Sequence, residues 1–370
     1  MTRVLHWVQD SPSPYNAALF RALAADPAID LTVHYVRGAV GDRPWQTPLT
    51  EGYRWRAFRR TLGADWALVR RAATDREGCW LVSSWYEPTT QLLITTRLLR
   101  GLPCVIWTDT PNVRGQRHAL KAALRGAWLR WVLGRADAVL GTGNPALDAL
   151  RTMGARPERL VNFPYFVDTD AYTPSAPRPG SELTFVSSGR LHPDKGYDVA
   201  LRALAEAFRD STSAFRYRIA GVGPSRDDLA ALARELGIAD RVEFLGWVEP
   251  AALVRLLADA DVLLHPARYE PYGVAVVEGL ASGLVVIGSD ATAAVIDRIR
   301  PGVNGLVHRT DDVASLAREI VRVRDDAALR ARLAAGARAE AEEWPLVRAV
   351  GIVRDLCTDH RPPAMPRGAE

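Results

Sequence analysis

Short apolar runs separated by longer amphipathic stretches set the pattern of this chain. Val4–Val8, Leu31–Val36, Trp80–Ser83, Cys104–Trp107 and Ala138–Leu140 carry few polar positions. Runs of that kind suit strands buried on both faces. Helical stretches lie between them; one is expected over Ala17–Ala24, after a loop Ser11–Asn16. Strand–helix alternation predicts α/β architecture with parallel sheet and crossover helices. The alternation restarts at Leu183–Val186, followed by a helix from Tyr197 to about Arg209. Further on, Ala260–Leu264 reads as a strand, Gly273–Ala281 as a short helix closed by Gly283, and Leu284–Ile287 as the next strand. The Pro-rich stretch Thr173–Gly180 separates the two series. The expected organisation is a first domain over 1–170, a linker over 171–182 and a second domain over 183–345. A helix over 346–360 returns to the first domain, and a Pro-rich, disordered tail covers 361–370.

Two loops of the second half carry candidate chemistry. His265–Gly283 runs from strand to helix and holds Glu270 in the loop and Glu278 inside the helix. Backbone N–H groups of Tyr272, Gly273 and Val274 are expected to be unpaired at the helix start, where the helix dipole adds positive charge. A phosphate suits that position, and Gly273 keeps side-chain atoms out of its way. Glu278 offers two acceptor oxygens to a ribose diol, and Glu270 reaches hydroxyls beyond the phosphate. Taken alone, the loop equally reads as a buried strand–helix unit whose acids face solvent. The second loop, Ser187–Gly196, breaks the tie. Arg190 and Lys195 lie close together in it, and the whole chain has only two lysines, Lys121 and Lys195, beside abundant arginine. A compact ammonium suits a point contact to phosphate.

The motifs then fall into a known order. Gly189-Arg190-Leu191-His192-Pro193-Asp194-Lys195-Gly196, Ala220-Gly221-Val222-Gly223-Pro224, Phe244-Leu245-Gly246, Ala260-Asp261-Val262, Glu270 through Glu278 and Asn304-Gly305-Leu306 follow one another. Together they resemble the nucleotide-sugar half of retaining glycosyltransferase family 4, the glycosyl transferases group 1, whose signature is Glu-x7-Glu. The match covers about residues 183–350 well and the first half loosely. The resemblance implies the GT-B fold, two Rossmann-like domains facing a central cleft. It also implies transfer of a sugar from a nucleotide-diphosphate donor, with UDP favoured and GDP the alternative. Retention of configuration and no metal or other cofactor come with it. The hydroxyl acceptor would belong to cell-surface glycan, glycolipid or natural-product glycoside synthesis.

On that resemblance the donor is held by Gly189, Arg190, Lys195, Gly221, Gly223 and Gly246 from the first loops. Glu270, Tyr272, Gly273, Val274 and Glu278 hold it from the second. Arg190, Lys195, Glu270 and Asp109 are the catalytic candidates. Glu270 and Glu278 are not a glycosidase pair, since a ribose-binding Glu278 sits at the wrong end of the donor. The first half departs from the family. Ser13-Pro14-Tyr15-Asn16 replaces a Gly-Gly pair, Thr108-Asp109 replaces His-Asp, and Asp290-Ala291-Thr292-Ala293-Ala294 replaces Gly-Gly followed by Glu. Tyr15 and Asn16, with Trp85 and Glu87 after the Trp80–Ser83 strand, are the acceptor candidates. Trp85 offers either a stacking platform or core packing. These departures leave open a non-catalytic partner subunit. A nucleotide-sugar epimerase or a phosphorylase is the other alternative.

Composition narrows the field. At 370 residues, 48% hydrophobic and 24% charged, the chain suits two ordinary globular domains. Three scattered cysteines indicate neither a disulfide framework nor a zinc site, which suggests a reducing, cytoplasmic setting. No apolar run approaches membrane-spanning length. The formal charge is +4, but no nucleic-acid motif accompanies it. Gly141-Thr142-Gly143-Asn144-Pro145-Ala146 matches the dinucleotide fingerprint, yet no acid ends a second strand downstream, so a packing role is expected. Arg114, Arg117, Lys121 and Arg125 fall on one helical face beside Trp128, with Leu120, Leu124, Ala127 and Trp131 on the other. That face is either a solvated side of a core helix or a dock for an anionic membrane.

Overall fold

The computed structural model describes residues 2–37, 49–83, 85–111, 119–172 and 182–359. The chain divides into two compact units, Met1–Phe166 with Leu346–Glu370, and Val167–Pro345. The first carries seven strands: β1 Arg3–Gln9, β2 Ile29–Tyr35, β3 Arg54–Ala57, β4 Cys79–Val82, β5 Val105–Thr108, β6 Ala138–Gly141 and β7 Leu160–Asn162. They lie in the order β3-β2-β1-β4-β5-β6-β7, and every pairing is parallel. The second carries β8 Leu183–Ser188, β9 Phe215–Ala220, β10 Val242–Gly246, β11 Val262–His265, β12 Val285–Ser289 and β13 Leu306–His308. Their order is β10-β9-β8-β11-β12-β13, again all parallel.

Both sheets therefore reverse direction once, beside the first strand of the unit. The chain leaves β1 to one side and returns at β4 on the other; it leaves β8 and returns at β11 in the same way. In open parallel sheets the loops beyond the strand C-termini diverge at that point and leave room for a ligand.

The apolar runs form the central strands as expected. β4, β5 and β11 are buried along most or all of their length, and the cores on one face collect Val8, Trp80, Ile106 and Val139 in the first unit. Phe185, Leu201, Ile219 and Leu264 do so in the second. Two strands left no such pattern: Arg54, Trp55 and Arg56 of the edge strand β3 are exposed, and β7 has three residues. The first helix begins earlier than expected, at Pro14 rather than Ala17. Proline's fixed φ and missing N–H suit the first helical position, so Tyr15 and Asn16 are helical, not loop. The helix Tyr197–Ala207 ends two residues before Arg209.

The division between units falls at 166/167, earlier than the expected 170. Tyr172 donates a hydrogen bond to Glu278, and Arg338 donates to the carbonyls of Thr169 and Tyr172, which ties Val167–Tyr172 to the second unit. The core of the linker, 173–181, and the tail, 360–370, lie outside the described residues. The helix Leu346–Asp359 groups with the first unit, packing on the helix Pro14–Ala25 and on β1.

Candidate active site

In the second unit the loops at the switch point are stacked by backbone contacts. Gly189 N–H donates to the Ala220 carbonyl at 2.9 Å, Leu191 N–H to Val222 at 2.9 Å, and Gly221 N–H to Gly246 at 2.7 Å. A Cβ on Gly221 would stand 1.8 Å from the Gly189 oxygen, and one on Gly223 2.3 Å from the Leu191 oxygen. The second glycine motif is thus required by loop packing. Arg190 points from this stack and is exposed.

The loop after β11 is fastened to the loop after β8. Arg268 donates two hydrogen bonds to the Asp198 carboxylate, at 2.8 and 2.7 Å, and one to the Pro193 carbonyl at 2.7 Å. Its backbone N–H donates to the Asp194 carbonyl at 2.7 Å. That bidentate fork holds Lys195 against the second loop. Lys195 Nζ forms a short ion pair with the Glu270 carboxylate, 75 residues away in sequence. His265 Nε2 lies 3.5 Å from the same carboxylate oxygen. Burial would push the Glu270 carboxyl up, but His265 and the Lys195 ammonium outweigh it and lower it to about 2.

The helix Val274–Ala281 starts directly after this pair. Its N-cap, Gly273, adopts φ +106° and offers no side-chain cap to the first N–H groups. A Cβ there would sit 2.9 Å from Thr292 Cγ2 and 3.2 Å from Glu270 Cγ, so only glycine is at ease. The divergent segment Asp290–Ala294 braces the loop from behind: Ala293 N–H donates to Glu270 and Ala294 N–H to Tyr272 at 2.7 Å. Tyr272 is buried, with its hydroxyl toward Arg298, and offers only backbone to a ligand. Val274 is half-buried at the first helical position. Glu278 faces inward, half-buried, and accepts a 3.2 Å hydrogen bond from the Tyr172 hydroxyl. Burial raises its carboxyl to about 7, with Tyr172 opposing the shift.

In the first unit, a cavity of about 160 Å³ opens at the switch point. The end of β1 and the loop after it contribute Gln9, Asp10, Ser11 and Ser13, and the first helix contributes Tyr15; the region after β4 contributes Ser83 and Tyr86. Trp107, Thr108 and Asp109 line it from β5, and Tyr165 from beyond β7. Asp109 accepts hydrogen bonds from the Thr142 hydroxyl, at 3.2 Å, and from the Tyr165 hydroxyl. Tyr15 packs edge-on against Tyr165, with centroids 4.8 Å apart.

Three acceptor candidates do not reach this cavity. Trp85 is 7% exposed and packs in the core with Val8, Leu93 and Ile94, so it is no stacking platform. Glu87 caps the helix Pro88–Leu99, accepting from the N–H groups of Thr89 and Thr90, and pairs with Arg60. Asn16 is buried in the first helix and does not line the cavity. Conversely, His265, Tyr172, Arg268, Ser13 and Tyr165 were not among the candidates. Their partners lie far away in sequence, and only the strand-end position of His265 hinted at a role.

Arg114 and Arg117 lie outside the described residues. Lys121 and Arg125 are exposed on the helix Ala119–Leu133; of the opposite face, Leu124 is 64% exposed and Ala127 is exposed too, while Trp131 packs on the core. Trp128 donates its indole N–H to Thr95 and packs on the core, which removes it from any membrane face. At Gly141 a Cβ would sit 2.8 Å from Leu147, so that glycine of the fingerprint-like stretch serves close packing. Among the described residues, no group of three or more His, Cys, Asp or Glu side chains could hold a metal ion. Nor is any described helix long and apolar enough to cross a membrane.

Two parallel sheets, each with a switch point beside its first strand, define the class: this is the GT-B fold. An Anabaena HepE structure with UDP superposes with TM-score 0.76 at 17% identity, covering 96% of this chain and 99% of that one. A sucrose-phosphate synthase from Thermosynechococcus elongatus matches with TM-score 0.73 at 18% identity, over 96% and 99%. The family model for glycosyl transferases group 1 matches residues 168–340, almost the whole of the second unit. A D-inositol 3-phosphate glycosyltransferase from Acidothermus cellulolyticus is 32% identical over 268 residues, 64% of this chain and 59% of that protein. A 2-deoxystreptamine glucosyltransferase from Streptomyces kanamyceticus is 32% identical over 176 residues, 47% and 44%. The chain thus spans about half the length of the curated relatives it matches.

Proposed function

We propose that the protein is a retaining, metal-independent glycosyltransferase that moves a sugar from a nucleotide-diphosphate donor, UDP favoured, to a hydroxyl acceptor. The observation that carries this reading is the convergence of Lys195, Glu270 and the bare helix start at Gly273 on one switch point. Transfer breaks the bond between the anomeric carbon and the β-phosphate oxygen. Negative charge grows on the leaving diphosphate, and positive charge on the anomeric carbon. Arg190, Lys195 and the N–H groups of Gly273 and Val274 would hold the diphosphate and stabilise its departure. Glu270 keeps Lys195 in place and reaches toward sugar hydroxyls. Glu278 takes the ribose diol, which favours its ionised form. The acceptor hydroxyl then bonds to the anomeric carbon on the same face, and its proton passes to the departing phosphate oxygen.

The relatives' names specify acceptors that are six-membered polyhydroxylated rings, one phosphorylated and one aminated. We carry over the shared class, a hydroxylated ring, and place it in the cavity bearing Tyr15 and Asp109. Such an acceptor suits natural-product, glycolipid or cell-surface glycoside synthesis in the cytoplasm. A second reading, docking on an anionic membrane, is favoured by the exposed Lys121, Leu124 and Arg125. Co-sedimentation with phosphatidylserine but not phosphatidylcholine vesicles would support it, and equal recovery with both would end it.

Calorimetric titration with UDP, GDP, ADP and dTDP tests the main reading on wild type, Glu278→Ala and Lys195→Ala. Selective binding of one nucleotide, lost in both variants, is the expected result. Binding of none would sink the donor site.

A further inference from the structure

A buried nitrogen stands idle beside the ion pair of the second unit. His265 ends β11, in register with Gly288 of β12, and is 6% exposed. Its Nε2 has no hydrogen-bond partner among the described residues. It stands 3.5 Å from the same Glu270 oxygen that Lys195 holds. A buried polar atom left without a partner costs stability. The ring lies directly under the helix start, since a Cβ on Gly273 would stand 3.4 Å from this Nε2.

The surrounding backbone is pinned, so rearrangement falls to side chains. A Cβ on Gly196 would stand 2.0 Å from the Pro266 carbonyl oxygen, which presses the loop of Lys195 onto the loop of His265. Glu270 bridges to Thr292, and its carbonyl accepts from Ala293 N–H. Lys195 is the flexible member, a compact ammonium on a four-carbon stem. Glu270 neutralises it, and a diphosphate with more than one negative charge competes for it. Once Lys195 turns to the phosphate, the Glu270 carboxylate, 14% exposed, loses its counter-ion. A neutral N–H does not replace that charge, but it gives the oxygen a donor. Closing the gap to His265 by about 0.5 Å makes the hydrogen bond. His308, across β12 at the end of β13, adds no competing charge. Its Nδ1 meets the Arg309 carbonyl at 2.9 Å, and burial lowers its pKa.

We propose that His265 is a positioning residue of the donor site: its Nε2–H takes the Glu270 carboxylate when the diphosphate draws Lys195 away, which frees the lysine for the leaving group. The proposal rests on the donor reading. Its test is a double-mutant cycle, read as affinity for whichever of UDP, GDP, ADP and dTDP wild type selects, by calorimetry at pH 7. His265→Phe keeps a ring and removes the donor. With Glu270 present it should weaken the nucleotide about tenfold or more, as loss of a hydrogen bond to a charged group does. In a Glu270→Gln background, where no carboxylate has to be held, the same change should alter affinity less than about twofold. His265→Gln carries an N–H close to the Nε2 position and should stay within about threefold of wild type. His265→Ala repeats the cycle where Phe is not accommodated. Equal losses in both backgrounds, no loss on removing the ring nitrogen, or no rescue by Gln would overturn the proposal while leaving the donor reading standing. Failure of wild type to bind any of the four nucleotides would instead remove the donor reading, and this proposal with it.

Discussion

The two units place their chemistry at the same topological point and fill it in opposite ways. In the second unit the switch point gathers positive charge. Lys195, the bare N–H groups after Gly273 and the exposed Arg190 supply positive charge, while Glu270 holds the lysine in place. In the first unit the same point is a small cavity of carboxylates, hydroxyls and aromatic rings. One topology thus provides room, and the residues at the strand ends decide what enters. The difference also appears in how each point is held together. The second is stapled by charge and by backbone contact that only glycine allows. The first leaves buried acceptors open.

The largest effect should come from breaking the staple. Lys195→Met is expected to lower kcat/KM roughly 100- to 1000-fold, as loss of one leaving-group donor does. It also strands the Glu270 carboxylate, 14% exposed, costing about 3 kcal/mol of stability. The double variant Lys195→Met/Glu270→Gln should recover that stability and none of the activity. Recovery of activity would show that the pair is only structural. Gly273→Ala comes next. Its φ of +106° and the 2.9 Å approach to Thr292 Cγ2 make it strained, costing about 1–3 kcal/mol. The added methyl also crowds the helix start, so UDP affinity should fall about tenfold or more. Unchanged affinity would move the phosphate elsewhere.

Much of this was legible in the sequence, and the failures have causes. The buried strands announced themselves because both faces of a parallel strand need apolar residues, as in Val262-Leu263-Leu264. Arg54-Trp55-Arg56 lies at a sheet edge and carries no such requirement. Lys195 and Gly273 stood out by rarity and position, but their partners, Glu270 and Thr292, are joined to them only by the fold. Trp85 stayed open between stacking and core packing because it follows a strand end, where ligand residues also lie, and its burial settles the choice for the core. One helix start was misread and another left unplaced for the same reason. Ser13-Pro14 and Glu87-Pro88 both signal a capping position followed by proline at the first helical residue.

Titration offers a subtler contrast. Burial raises Glu278 to about 7, so the folded second unit holds a proton that the unfolded chain has released. Its contribution to stability is full below the ordinary carboxyl value of 4.5 and is lost as pH rises toward 7. In the first unit burial lowers His6 to about 4 and His34 to about 2. These neutral rings contribute stability above the ordinary 6.5 that is lost as pH falls below it. Hydrogen exchange between pH 5 and 7 should show the two units moving in opposite directions, the second unit's slope flattened by Glu278→Gln. Nucleotide affinity should rise with pH across the same window, since a ribose diol prefers the ionised Glu278, and the variant should lose that rise. Parallel slopes in both units would contradict the assignment.

The smallest effect tests whether Glu87 belongs to the first unit's site or to its scaffold. Its carboxylate accepts from Thr89 N–H at 2.8 Å and Thr90 N–H at 3.3 Å, and from Arg60 at 3.1 Å. Glu87→Gln keeps one oxygen acceptor and loses the charge, so thermal stability should fall by only about 1 kcal/mol. Because Glu87 does not line the cavity, KM for the acceptor should stay within about twofold of wild type. A larger rise in KM at unchanged stability would return Glu87 to the acceptor site. The contrast between a cationic point in one unit and a hydroxyl- and acid-lined one in the other would then have to include a carboxylate now assigned to a helix cap.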